Sequence, residues 1–261
     1  MTSATINGAR LAYRLDGPAD APTVMLSNSL MSTMAMWEPQ MPALTERYQV
    51  LRYDTRGHGE SEVTPGPYRI EQLADDAAAL IDHTGIGPVH FVGLSMGGMI
   101  AQQLGIRHPQ AVRSLSLCDT ASEMPPRAMW EARFATARAE GMAGMVDGTI
   151  QRWFVPSFPA RAPDVIQQVR DMILAIDVEG YIACGSAVRD MSQTHLLKQI
   201  TTPTLILLGR DDPACTLAAS EVLHREIAGA QIHVIDDAAH LSNLEHPDQF
   251  NRVLRDFIDR H

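Results

Sequence analysis

A chain of 261 residues, 45% hydrophobic and 20% charged, has ordinary globular composition and the length of one α/β domain carrying an insertion. Its formal charge of −10 offers no basic face for nucleic acid, and no apolar run approaches the roughly 18 residues that cross a bilayer. Arg10 and Arg14 interrupt any signal-like apolar core, so a cytoplasmic location is expected.

An antiparallel hairpin is predicted over residues 4–15, turning at Asn7-Gly8, a pair that tolerates positive φ. Strand 23–27, helix 37–47, strand 49–53, helix 70–84, strand 89–94, helix 96–107 and strand 112–118 then follow in alternation. The alternation resumes late in the chain with strand 204–208, helix 216–227, strand 231–235 and helix 247–259. Short apolar strands between amphipathic helices imply an α/β fold, a mostly parallel central sheet with helices on both faces.

Residues 122–195 break this order, showing helical patterning without a clear strand and containing Pro125, Pro126, Pro156, Pro159 and Pro163. The segment reads as a helical cap insertion, leaving 1–121 and 196–261 as the α/β core. A plain surface insertion would pattern the same way. Trp130, Trp153, Phe154 and Phe158 favour a cap that faces ligand. Cys118, Cys184 and Cys215 are far apart, make no CxxC pair and no zinc-type spacing, and are expected as reduced, buried thiols.

The most specific pattern is Gly93-Leu94-Ser95-Met96-Gly97, which follows the apolar run 89–92 and opens a helical one. It resembles the G-x-S-x-G nucleophile elbow of α/β hydrolases in its strand–turn–helix setting. Such a turn is tight enough to need glycine two positions either side of the serine, and it lifts the hydroxyl above the sheet. The amide of Met96 then points to where an oxyanion forms, at the positive end of a helix.

A serine hydroxyl needs a base, and the base needs an orienting carboxylate. In hydrolases of this kind the chain order is Ser, acid, His. Asp211 and Asp212 follow strand 204–208, and His240 follows strand 231–235, both at the strand ends where sites of parallel sheets gather. Among ten histidines, His240 alone has that position: His108 and His246 precede prolines, His58 lies in a turn, His233 in a strand, and His261 is the terminus. The Gly-x-x-Asp spacing from Gly209 selects Asp212, with Asp211 as runner-up and Asp119, after an earlier strand, as a third choice.

Further residues resemble one branch of these hydrolases, the 3-oxoadipate enol-lactonases of aromatic catabolism. They are Ser27-Asn28-Ser29-Leu30, Met36-Trp37, Leu51-Arg52-Tyr53-Asp54-Thr55-Arg56-Gly57-His58-Gly59 and Gly93-Leu94-Ser95-Met96-Gly97-Gly98. In the insertion they are Arg152-Trp153-Phe154, Glu179-Gly180-Tyr181 and Arg189-Asp190-Met191. Met31-Ser32, where that family commonly has Gly-Thr, and Gly185-Ser186 depart from the pattern. The resemblance implies that the Leu30 amide is the second oxyanion donor, in a loop where many relatives carry His-Gly before an apolar residue. It also implies a five-membered enol lactone with a carboxymethyl arm. Arg133, Arg138 and Arg152, among Trp130 and Trp153, are candidates to hold that carboxylate, Arg152 foremost; a solvated helix face is the plain alternative for each.

The expected chemistry is attack by Ser95, proton transfer to His240, an acyl-enzyme and its hydrolysis, with no cofactor and no metal. The expected partner is a small lactone or ester, with no nucleic acid and no membrane. A general carboxylesterase, a C–C hydrolase or a perhydrolase would use the same residues, and a ligand receptor on this fold would keep them with weak turnover. Metal binding through His240, Glu245 and His246 is disfavoured, because a helix start explains that cluster.

Overall fold

Asn7 at φ 45° and Gly8 at φ 78° form the two-residue turn that folds strand β1 (Thr2–Ile6) antiparallel onto β2 (Ala9–Asp16). The structure, a computed structural model, describes residues 2–124 and 126–261; Met1 and Pro125, included in the ranges above, lie outside the described residues. The remaining strands are β3 (Thr23–Ser27), β4 (Gln49–Tyr53), β5 (Val89–Leu94), β6 (Val112–Cys118), β7 (Thr204–Gly209) and β8 (Gln231–Ile235). They form one sheet in the order β1-β2-β4-β3-β5-β6-β7-β8, parallel from β4 to β8. Every residue of β3, β5 and β7 is buried. Since successive side chains point to opposite faces, both faces of the sheet centre are covered.

The helices of the sheet layers are α1 (Met41–Thr45), α2 (Ile70–Thr84) and α3 (Met96–Arg107). The single helix predicted over 37–47 is instead a 3₁₀ stretch, Met34–Gln40, followed by the short α1. Pro39 and Pro42 lack the N–H that a continuous ladder needs, so the chain turns tightly and restarts.

Between β6 and β7 lie α4 (Arg127–Glu140), α5 (Ala143–Trp153), α6 (Phe158–Arg161), α7 (Pro163–Leu174) and α8 (Val178–Asp190), with no named strand among the described residues. An isolated bridge between Glu123 and Ser192 closes the base of this segment, and the Gln193 N–H donates to Ser122 O at 2.9 Å. The buried Gln193 side chain donates to Gln102 Oε1 at 2.9 Å and accepts from Gln103 Nε2 at 2.7 Å, anchoring the root on α3. After β7 come α9 (Leu217–Glu226), capped by Thr216, then α10 (Ser242–Glu245) and α11 (Pro247–Ile258). No described helix is long and apolar enough to cross a membrane.

Candidate active site

Ser95 joins β5 to α3 with φ 56° and ψ −114°, a conformation that ordinarily belongs to glycine. Its neighbours show why the turn can be this tight. A Cβ on Gly93 would lie 2.1 Å from Gly97 O, and one on Gly97 would lie 2.2 Å from Ser27 O. The Ser95 N–H donates to Cys118 O at 2.9 Å and Thr120 Oγ1 donates to Ser95 O at 2.7 Å, so the sheet fixes the bend from both sides. Holding a non-glycine residue there costs about 1–3 kcal/mol.

His240 lies in the loop after β8, buried, with Nδ1 2.7 Å from Asp212 Oδ2. The other carboxylate oxygen of Asp212 accepts the N–H groups of Ala214 at 2.7 Å and Cys215 at 3.0 Å. These contacts orient Asp212 toward the ring and leave Nε2 for a substrate-side partner. Asp211 is exposed. Asp119 is buried but faces elsewhere: its oxygens accept the Gly209 N–H at 2.7 Å and the Ser242 hydroxyl at 2.5 Å. Burial and the nearby Asp212 charge push its carboxyl well above the usual range, and its bond to Gly209 ties the ends of β6 and β7 together.

Donor atoms of Asp212, Cys215 and His240 lie within 4.8 Å of one another, the arrangement here closest to a metal-ligand set. Asp212 already has both oxygens engaged. The cluster His240, Glu245 and His246 is resolved into hydrogen bonds: Glu245 accepts from Val155 and Ala239, and His246 Nε2 meets Asp237 O at 2.8 Å.

The loop after β3 is held by polar contacts that the sequence alone did not reveal. Asn28 Nδ2 donates to Tyr53 O at 2.8 Å, Trp37 Nε1 donates to Asn28 Oδ1 at 3.0 Å, and the Gly97 N–H donates to Asn28 O at 3.0 Å. Asn28 thus couples the loop to the elbow. The Ser29 N–H meets Met36 Sδ and the Met31 N–H donates to His58 Nε2 at 3.0 Å. Between them, Leu30 N–H makes no hydrogen bond to a described acceptor, and neither does Met96 N–H. Met31 takes φ 63°, a left-handed conformation that favours glycine.

His58 lies in its turn and also fixes this loop through the Met31 N–H. Burial lowers its pKa to about 4, so the ring is neutral and Nε2 can accept. His90 is also lowered to about 4, by burial and then by Arg113. The unfolded chain takes up protons near pH 6.5 that the folded chain refuses. Stability is therefore full above about 6.5 and falls as pH drops toward 4, with His58 contributing a loss of about 2 kcal/mol by pH 5. Urea midpoints for the wild type should fall between pH 7 and 5, with a flatter dependence in His58→Gln; equal slopes would contradict this account.

Ser95 and His240 line one small cavity of about 50 Å³ together with Leu30 and Met31. No hydrogen bond joins Ser95 to His240 in this structure, as is common before substrate closes such a contact. From the helical segment the wall includes Trp130, Arg133, Arg152 and Trp153, and the Trp153 ring lies 6.3 Å from the His240 ring. Arg133 stacks over Trp130 at 5.2 Å, and Arg152 donates to Thr149 Oγ1 at 3.1 Å. Among the described residues, neither arginine reaches a carboxylate. Burial, then the charge of Arg133, lowers Arg152 to about 10, and burial lowers Arg133 too. Trp130 Nε1 and Tyr181 Oη are buried without a partner, and Tyr181 feels the charge of both arginines. Arg138 is a correction: it is exposed and lines a separate groove with Gly66 and Glu179. It sits five residues beyond Arg133 on α4, which turns it about 140° away around the helix.

The alpha/beta hydrolase fold family matches this chain over residues 22–247. The 3-oxoadipate enol-lactonase 2 of Acinetobacter baylyi is 34% identical over 256 residues, 98% of this chain and 96% of that protein. An enol-lactonase from Burkholderia xenovorans LB400 superposes with a TM-score of 0.97 at 39% identity, covering 99% of this chain and all of that one. A thermophilic esterase from Thermogutta terrifontis gives 0.92 at 30% identity, covering 99% of this chain and 98% of the other.

Proposed function

The chain belongs to the alpha/beta hydrolase fold family and is an ester or lactone hydrolase; on that premise we propose that it opens a carboxylate-bearing enol lactone through Ser95, His240 and Asp212. The observation that carries the substrate class is the pair Arg133 and Arg152, cations without acidic partners in the wall of the Ser95 cavity. Similarity to 3-oxoadipate enol-lactonases supports the ring chemistry. On this reading the segment of 122–195 acts as a cap that carries the carboxylate subsite, and Trp130 and Trp153 flank the ring.

Ser95 Oγ attacks the lactone carbonyl while His240 Nε2 takes its proton, and Asp212 stabilises the imidazolium through Nδ1. The free N–H groups of Leu30 and Met96 receive the developing oxyanion. Collapse breaks the ring C–O bond as His240 returns its proton to the leaving oxygen, giving an acyl-enzyme whose enol leaving group remains tethered. A tethered alcohol would reclose at a very high effective concentration. An enol instead takes a proton at carbon and becomes a ketone, which does not reclose. Water, deprotonated by His240, then releases the acid.

The test is a comparison of kcat/KM for a carboxymethyl enol lactone with that for a short neutral aryl ester. A preference of about 100-fold or more for the lactone is expected from one charge-assisted contact together with ring fit. Equal turnover, or a preference for the aryl ester, would replace this reading with a general carboxylesterase.

A further inference from the structure

Glu245 ends α10 five residues after His240, is buried, and has no part in the reaction above. Its Oε1 accepts the Val155 N–H at 2.7 Å, and its Oε2 accepts the Ala239 N–H. Val155 belongs to the helical segment, two residues beyond Trp153, while Ala239 immediately precedes His240. A parallel bond runs from the Leu241 N–H to Trp153 O at 3.1 Å. The residues on both sides of His240 are thereby tied to the 153–155 stretch, which also presents the Trp153 ring to the imidazole.

We propose that Glu245 is a positioning residue that locks the loop carrying His240 to the helical segment, so that the base is in place when the segment is docked. The inference rests on reading His240 as the base. The chemistry of the group explains the choice. Two N–H donors converge from two different chain segments, and a carboxylate offers an acceptor to each. Glutamine has the same shape but presents one NH₂, which must confront one of those donors and leave it unsatisfied. A neutral isostere therefore undoes one link without opening a cavity.

Two variants test the idea from opposite sides. Glu245→Gln removes one acceptor. Val155→Pro removes one donor, at a place where Phe154 already has ψ 147°, suited to a following proline. Each is read by kcat and KM, and by the rate at which a small fluorophosphonate labels Ser95, which reports the readiness of the serine–histidine pair. Thermal unfolding identifies the folded variants.

A misplaced base is expected to lower kcat and the labelling rate together by about 10–100-fold, with KM changed by only about threefold. The double variant should lose less than the product of the two single losses, because both break the same lock. If Glu245→Gln does not fold, Val155→Pro decides alone. Folded variants that keep kcat and labelling within about twofold of wild type, and differ only in melting temperature, would reduce Glu245 to a structural brace. His240→Ala separates this failure from that of the functional reading. An active His240→Ala removes the base itself, whereas an inactive one beside a wild-type-like Glu245→Gln overturns the positioning role alone.

Discussion

Ser95→Ala is expected to lower kcat by about 10⁴–10⁶-fold, because serine and its base act as a unit and removing one member forfeits nearly the whole contribution. Intact-protein mass spectrometry after brief exposure to substrate gives the qualitative counterpart. A ring-opened lactone stays whole on the enzyme, so wild type should gain the full mass of the lactone, while an ester would add only its acyl part. The alanine variant should gain neither. Ser95→Gly should be equally inactive yet more stable than Ser95→Ala. Glycine relaxes the φ 56° bend, whereas alanine keeps the Cβ that makes it unfavourable. Full hydrolysis by Ser95→Ala would end the proposed mechanism.

The second large effect concerns the charge of the substrate. Arg152→Met is expected to lower kcat/KM for a carboxylate-bearing lactone by about 10–100-fold, matching one charge-assisted hydrogen bond of about 1.5–3 kcal/mol. Arg133→Met should act in the same direction, and the double variant should lose about 10³-fold or more. A neutral ester of similar size should change by no more than about threefold in either single variant, since only the charged contact is removed. Burial and then the charge of Arg133 lower the proton affinity of Arg152 in this half-buried wall, so an anion between the two relieves repulsion as well as forming bonds. Losses of equal size for neutral and charged substrates would show that these arginines shape the wall without recognising a carboxylate.

What was legible in the sequence followed local rules. The Asn7-Gly8 turn, the apolar strand runs and the elbow each depend on residues close together in the chain, and all fold as their patterns imply. The helix read over 37–47 failed for an equally local reason, two prolines that the apolar periodicity obscured. Choosing among the insertion's arginines required helix phase and packing. Arg133 and Arg152 come together from different helices while Arg138 turns outward. The work of His58 and Glu245 was not legible because His58 meets a main-chain N–H 27 residues away and Glu245 joins one six residues away to another 90 away, which no side-chain motif encodes. The departure at Gly185 became intelligible only in three dimensions, since a Cβ there would lie 2.7 Å from the Phe134 ring.

The size of the chamber around Ser95 has a bearing on the pace of the enzyme. The chamber is narrow, and Trp130, Arg133, Arg152 and Trp153 of the insertion form its wall beside Ser95. On the proposed reading, substrate and product would pass between the insertion and the core, with the neck at Glu123 and Ser192 holding the two together. Traffic through that doorway would then count toward the turnover time alongside the chemistry.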